Sequence, residues 1–194
     1  MPQGRSGINA DTPSRLVFDA GELFLNINLT ALEATGVADA IEHAIPLGAT
    51  RGGSTFNPNR TLRNMEVDGA LGPVRGMVRR ESVEPTLSAI LLEMSEDNLL
   101  EAFAGSVSTT AGEFEKITGG PILDATYRDN VALLATYSGD DEPVIFVLQN
   151  VLVTETAEIN LEDQNEPVLD VTFAGHFDPD DIEEEPWIIY HPGD

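Results

Sequence analysis

The sequence contains no cysteine. That excludes a disulfide framework and any thiolate metal site. Lysine occurs once, at Lys116, so nine of the ten Lys and Arg residues are arginines. No run of about 18 apolar residues is present, which excludes a transmembrane helix. The opening MPQGRSGINADTP has no apolar h-region, so it does not read as a secretory signal. Catalytic punctuation is also missing. There is no Gly-x-Ser-x-Gly elbow, and Gly48 to Gly53 lacks the lysine and spacing of a phosphate loop. His43, His176 and His191 lie far apart and lack the i, i+4 spacing of a metal-binding helix. No repeat of 20–50 residues is found. These absences point away from an enzyme and from any cofactor.

Acid is abundant: 34 Asp and Glu against 10 Lys and Arg, a net charge of −24. After Arg128 there is no Lys or Arg at all. Such a chain repels nucleic acid phosphates rather than gripping them. An acidic surface with almost no lysine fits adaptation to high salt. It equally fits a conduit whose wall must not hold DNA. The hydrophobic fraction of 41% is enough for a core, and 194 residues suit one domain.

Periodicity predicts mostly strands. Arg15 to Phe18 starts one; Leu23, Leu25, Ile27 and Leu29 then alternate with polar or outward positions. Thr30 to Ala44 breaks this pattern, with one or two short helical turns around Gly36. Strands are expected near Gly53–Phe56 and Leu62–Val67, with a loop at Asn57-Pro58 between them. Asp68-Gly69 signals a hairpin, followed by strands near Val74–Glu81 and Val83–Glu93. Pro85 places that last strand's start on a sheet edge, because proline cannot donate to a ladder. Ser95 N-caps the one clear helix, with Glu96 and Asp97 in its first turn and Gly105 able to end it. Further strands are expected at Glu113–Ile117, Asn130–Tyr137, Val144–Val153 and Val168–Phe177, with a turn at Ser138–Asp141. Val144–Val153 is apolar almost throughout and should be covered on both faces. The predicted class is all-β, a two-sheet sandwich or barrel with one flanking helix. Residues 1–14 read as an N-terminal arm, 15–177 as the β domain, and 178–194 as an acidic C-terminal arm.

The stretch from Leu47 to Leu92 carries the most specific pattern. Leu47 to Gly53 reads Leu-Gly-Ala-Thr-Arg-Gly-Gly; Glu66-Val67-Asp68-Gly69 follows; then Gly72-Pro73-Val74-Arg75-Gly76; then Leu91-Leu92-Glu93 before the helix. In order and spacing this resembles the major tail tube proteins of long-tailed, siphovirus-like phages and related archaeal viruses. The resemblance covers roughly residues 15 to 105. It implies two packed sheets closing toward a barrel with a helix outside. It also implies subunits that form six-fold rings stacked into a DNA-conducting tube. The implied partners are further copies of the chain and the tape measure, tail terminator and tail tip proteins. DNA would be a transient passenger, no membrane would be involved, and the location would be the virion tail, assembled in the host cytoplasm.

Six arginines fall in this stretch: Arg51, Arg60, Arg63, Arg75, Arg79 and Arg80. One reading is scattered solvated charge. The other is a set of contacts to acidic surfaces of neighbouring copies, for which bidentate arginine is better suited than lysine. Trp187 and Tyr190 frame an apolar tip that is either the last core strand or an arm packing on a neighbour. Asp170 and Thr172 alternate with apolar residues on Val168–Phe177 and are candidates for a lumen-facing surface. The run Asp178 to Glu185 supports a different class, an acidic β-sandwich module binding calcium or carbohydrate. That run lacks the glycine and the glutamate of a calcium loop and reads equally as a solvated linker.

The arm at 1–14 has no apolar periodicity. Its removal should leave the domain folded, so thermal melts of full-length and truncated monomer should agree closely. A large loss of stability on truncation would place the arm in the core.

Overall fold

The computed structural model describes residues 8, 12, 16, 21–138, 143–155, 157–159 and 166–192. Among these the elements run β1 (Glu22–Leu25), α1 (Leu29–Ala34), α2 (Val37–Ile41), β2 (Ile45–Pro46), β3 (Thr50–Asn64) and β4 (Val78–Leu91). Then come α3 (Glu96–Ala102), β5 (Val107–Ala111), β6 (Phe114–Thr118), β7 (Arg128–Thr136), β8 (Pro143–Val153), β9 (Leu169–Gly175) and β10 (Trp187–Tyr190). Eight strands form one antiparallel sheet in the order β2-β1-β7-β8-β9-β4-β3, with β10 beside β8; β5 and β6 form a separate hairpin. The class is all-β, as the alternation predicts. The strand expected at Arg15–Phe18, the Gly139–Asp141 turn and most of the 1–14 arm lie outside the described residues.

The two ends of that strand order are neighbours in the chain. β2 pairs with β1, and only residues 47–49 separate it from β3, which pairs with β4. Within this crossing Leu47 N–H donates to Leu23 O, and Leu92 N–H donates to Ala49 O, both at 2.9 Å. The sheet therefore curls onto itself. Its inner face holds Leu23, Leu25, Leu87, Leu91, Val131, Leu148, Leu169, Val171 and Phe173, with Leu99 and Phe103 from α3 packed against them. β8 is buried on both faces, as expected. Its second face, with Ala132 and Leu134 of β7, meets Leu29, Leu32, Val37 and Ile41 of α1 and α2. The short turns around Gly36 are thus a second cover, so the fold has more than one flanking helix.

Helix α3 forms where its cap predicts. Ser95 Oγ accepts from Asn98 N–H at 3.2 Å, and Glu96 and Asp97 occupy the first turn. Phe103 is the C-cap, and Gly105 follows two residues later in the left-handed region at φ +77°. The Asn98 amide is buried and donates to Leu47 O at 3.1 Å and Glu93 O at 2.9 Å. It ties the helix to the sheet crossing.

Three strand expectations need correction. β3 runs unbroken through Asn57-Pro58, where a loop was expected. Pro58 stands opposite Pro85, so both missing donors fall on one rung and the ladder continues on either side. β4 is one strand rather than two, and Asp68-Gly69 is a turn inside a longer connection over residues 65–77. β5 escaped prediction; it is joined to β6 by a two-residue turn in which Gly112 adopts φ +71°.

Pro85 does sit at an edge. β9 pairs with β4 only from Thr86 onward. From Pro58 to Asn64 and from Val78 to Pro85, β3 and β4 pair only with each other. At about 3.4 Å per residue this two-stranded ribbon extends roughly 25 Å beyond the sheet.

Replacing Asn98 by Leu strands two backbone carbonyls. An unsatisfied buried polar group costs about 1–3 kcal/mol. Urea unfolding of Asn98→Leu should show a lower midpoint with unchanged slope; an unaltered midpoint would show that the crossing does not need this amide.

Candidate assembly surface

The ribbon gathers what the sequence spreads out. From Pro58 to Pro85 there are five arginines against four acids, Glu66, Asp68, Glu81 and Glu84, a local charge of +1 in a chain of −24. Arg63 and Arg79 face each other across the ladder, a like-charge pairing that is unfavourable for an isolated subunit. Arg79 Nη1 donates only to backbone, Gly76 O at 2.9 Å and Val78 O at 3.0 Å. Among the described residues no carboxylate lies within ion-pair reach of Arg63, Arg75 or Arg79. Apolar side chains are exposed on the same ribbon and its loop: Leu62, Met65, Val67, Leu71, Val74 and Val78, with Leu71 fully in solvent.

The other arginines of the stretch are occupied within the chain. Arg51 pairs with Glu166 at the far end of β3. Partway along the ribbon, Arg60 Nε and Nη2 donate to Glu185 Oε2 at 2.9 and 2.7 Å. Arg80 Nη1 donates to Glu185 Oε1 at 2.6 Å, and Trp187 Nε1 to Oε2 at 2.8 Å. The Arg60 guanidinium also lies over the Trp187 ring, 5.3 Å from its centroid, within cation–π reach. Phe56 of β3 touches both Trp187 and Phe146, with centroids 6.3 and 5.3 Å away.

The expected C-terminal arm at 178–194 therefore needs revision. Trp187–Tyr190 is a sheet strand paired with β8, and Tyr190 Oη donates to Glu33 Oε1 at 2.8 Å. Burial, then the hydrogen bond to Glu33 and its charge, push the Tyr190 phenol up to about 12. Sequence reasoning missed Glu185 altogether, because it is the last of a run of acids and nothing local marks it. The remainder of that run binds its own loop: Asp178 Oδ1 accepts from Asp180 N–H at 2.9 Å, and Asp181 Oδ1 from Glu183 and Glu184 N–H at 3.2 and 3.3 Å.

Asp170 and Thr172 lie on the sheet face opposite the core, as their alternation predicts. Register places Asp170 beside Ile90, and Thr172 beside Ser88, which in turn faces Thr55 of β3. Thr86, Glu84, Asn57 and Asn59 continue the same face. Up to Glu84 and Asn59 it is mostly polar, and Arg60 turns to the other side with Phe56; farther out on the ribbon the same alternation brings Arg63 and its cross-strand partner Arg79 onto this face.

The chain matches no protein-family model, and no curated protein matches it.

Burial raises the Glu185 carboxyl, but the hydrogen bonds from Arg80, Arg60 and Trp187 and the Arg60 charge outweigh it, leaving its pKa below the ordinary value. A carboxylate held low contributes stability above its unfolded pKa, about 4.3 for glutamate. That contribution is lost as pH falls through the lower folded value. Trp187 is the single tryptophan, so its emission should titrate in this acid window, and Glu185→Gln should abolish the transition. An identical titration in the variant would assign it to another group.

Proposed function

We propose that this protein is a structural subunit that assembles with copies of itself into stacked six-fold rings. These rings form the tail tube through which a tailed virus passes its DNA. The observation that carries the reading is the ribbon: an arginine-rich, partly apolar projection on an otherwise acidic barrel. Copies at −24 repel one another, so association needs local positive patches at the contacts. Arg63, Arg75 and Arg79 are cations without carboxylate partners among the described residues, beside Leu62 and Leu71. An arginine-rich, partly apolar ribbon of this kind fits an acidic partner surface better than it fits water. The part of the polar face with Asp170 and Thr172 carries no arginine, which supports a conduit role because a wall without cations does not retain phosphates; Arg63 and Arg79 enter that face only toward the tip of the ribbon. On this reading the partners are further copies and the tape measure, terminator and tip proteins. No cofactor takes part, and the site of action is the virion tail, assembled in the host cytoplasm.

Purified protein should form rings or tubes in negative-stain microscopy. The triple variant Arg63→Glu, Arg75→Glu, Arg79→Glu should keep its β circular-dichroism signal and remain monomeric. Normal tubes from the triple variant would overturn the contact assignment. A monomer that requires calcium would instead favour a binding module built on the acidic run.

A further inference from the structure

We infer that Glu185 is a positioning residue that sets the direction in which the β3–β4 ribbon leaves the barrel. An isolated two-stranded hairpin is marginal in water, and beyond Pro85 this one has no third strand beside it. Its heading depends on what grips it along its length. The grip is a single carboxylate with donors from both ribbon strands, Arg60 on β3 and Arg80 on β4. Among the described residues, no other ion pair joins the ribbon to the rest of the chain.

The grip is anchored from behind. Trp187 supplies the fourth hydrogen bond to Glu185 and belongs to β10, which is paired along β8. The segment bearing Glu185 packs tightly at Gly175, where an added Cβ would lie 2.9 Å from Pro186 O and 3.2 Å from Pro85 Cγ. The Glu185 side chain is only 16% exposed, against 45% and 41% for its two arginines. The carboxylate is thus the fixed element and the arginines are the moving ones. Exposed ion pairs add little to global stability. A planar guanidinium held at two nitrogens and stacked on an indole does, however, fix geometry. The arrangement suits aiming the ribbon more than holding the fold together.

This inference takes the ribbon to be the contact element proposed above, and its test separates the two ideas. The chain lacks cysteine, so Leu71→Cys at the ribbon loop and Asp39→Cys on α2 accept spin labels at two exposed positions only. The Glu185-intact monomer should give one narrow distance distribution by pulsed electron resonance. Glu185→Ala should broaden it at least twofold while the β circular-dichroism signal persists. If Glu185→Ala fails to fold, the exposed double variant Arg60→Gln, Arg80→Gln provides the same loss of grip. Glu185→Gln, which retains an acceptor without the charge, should lie between. A distribution equally narrow in the Ala or double-Gln variant would overturn the inference. If the distribution broadens yet neither form builds tubes, Glu185 still aims the ribbon and the tail tube reading fails instead. If tubes form normally from a broadened variant, Glu185 still aims the ribbon, and it is the dependence of assembly on that aim that fails.

Discussion

Closure of the sheet is the constraint on which the rest of the structure depends. The segment from Ile45 to Thr50 lies between β1 and β4 and completes the curl. Gly48 makes this possible. Its φ is +78°, and an added Cβ would stand 2.4 Å from the Glu93 carboxyl carbon. That carboxylate accepts from Ala49 N–H at 2.9 Å, and Asn98 secures Leu47 and Glu93 from the helix side. Three neighbouring backbone groups are thus satisfied by side chains brought from residues 93 and 98. Without the curl, the inner face from Leu23 to Phe173 would be an open apolar sheet.

Charge is arranged by the same geometry. A uniformly acidic barrel would be soluble but self-repelling. The long β3–β4 ladder carries five arginines away from the body on a ribbon that continues past its neighbours. Two of them, Arg60 and Arg80, close on Glu185 partway along it. Arg63, Arg75 and Arg79 stay beyond it, beside exposed apolar side chains. The polar outer face of β9, β4 and β3 carries no arginine from Asp170 to Glu84 and gains Arg63 and Arg79 only toward the tip of the ribbon. Segregation of this sort is a property of which strand outlasts which, and composition alone does not carry it.

Legibility differed sharply along the chain. The strands at β7, β8 and β9 were readable because buried sheet positions impose either alternation or continuous apolarity. The α3 cap was readable because Ser95 and the first-turn acids act locally. Pro58 misled: it marks a loop only when its missing donor would break a ladder, and an opposing proline removes that conflict. The two strands expected around Ser82 are one, since the irregularity there, between Thr61 and Leu62 on the partner strand, is a bulge rather than a break.

What the sequence determined by itself is the class, the acidity, the helix start and the faces of the alternating strands. Each of these depends on residues within a few positions of one another. The tertiary structure alone decided that Trp187–Tyr190 joins the main sheet, that the central arginines divide into gripped and ungripped sets, and that Glu185 differs from the acids before it. Those facts rest on contacts between residues far apart in the chain, such as Trp187 with Leu148 and Arg60 with Glu185. Charges of identical type acquire different roles only when folding chooses their neighbours, because the strength of an ion pair is set by distance, geometry and burial rather than by the residues' names.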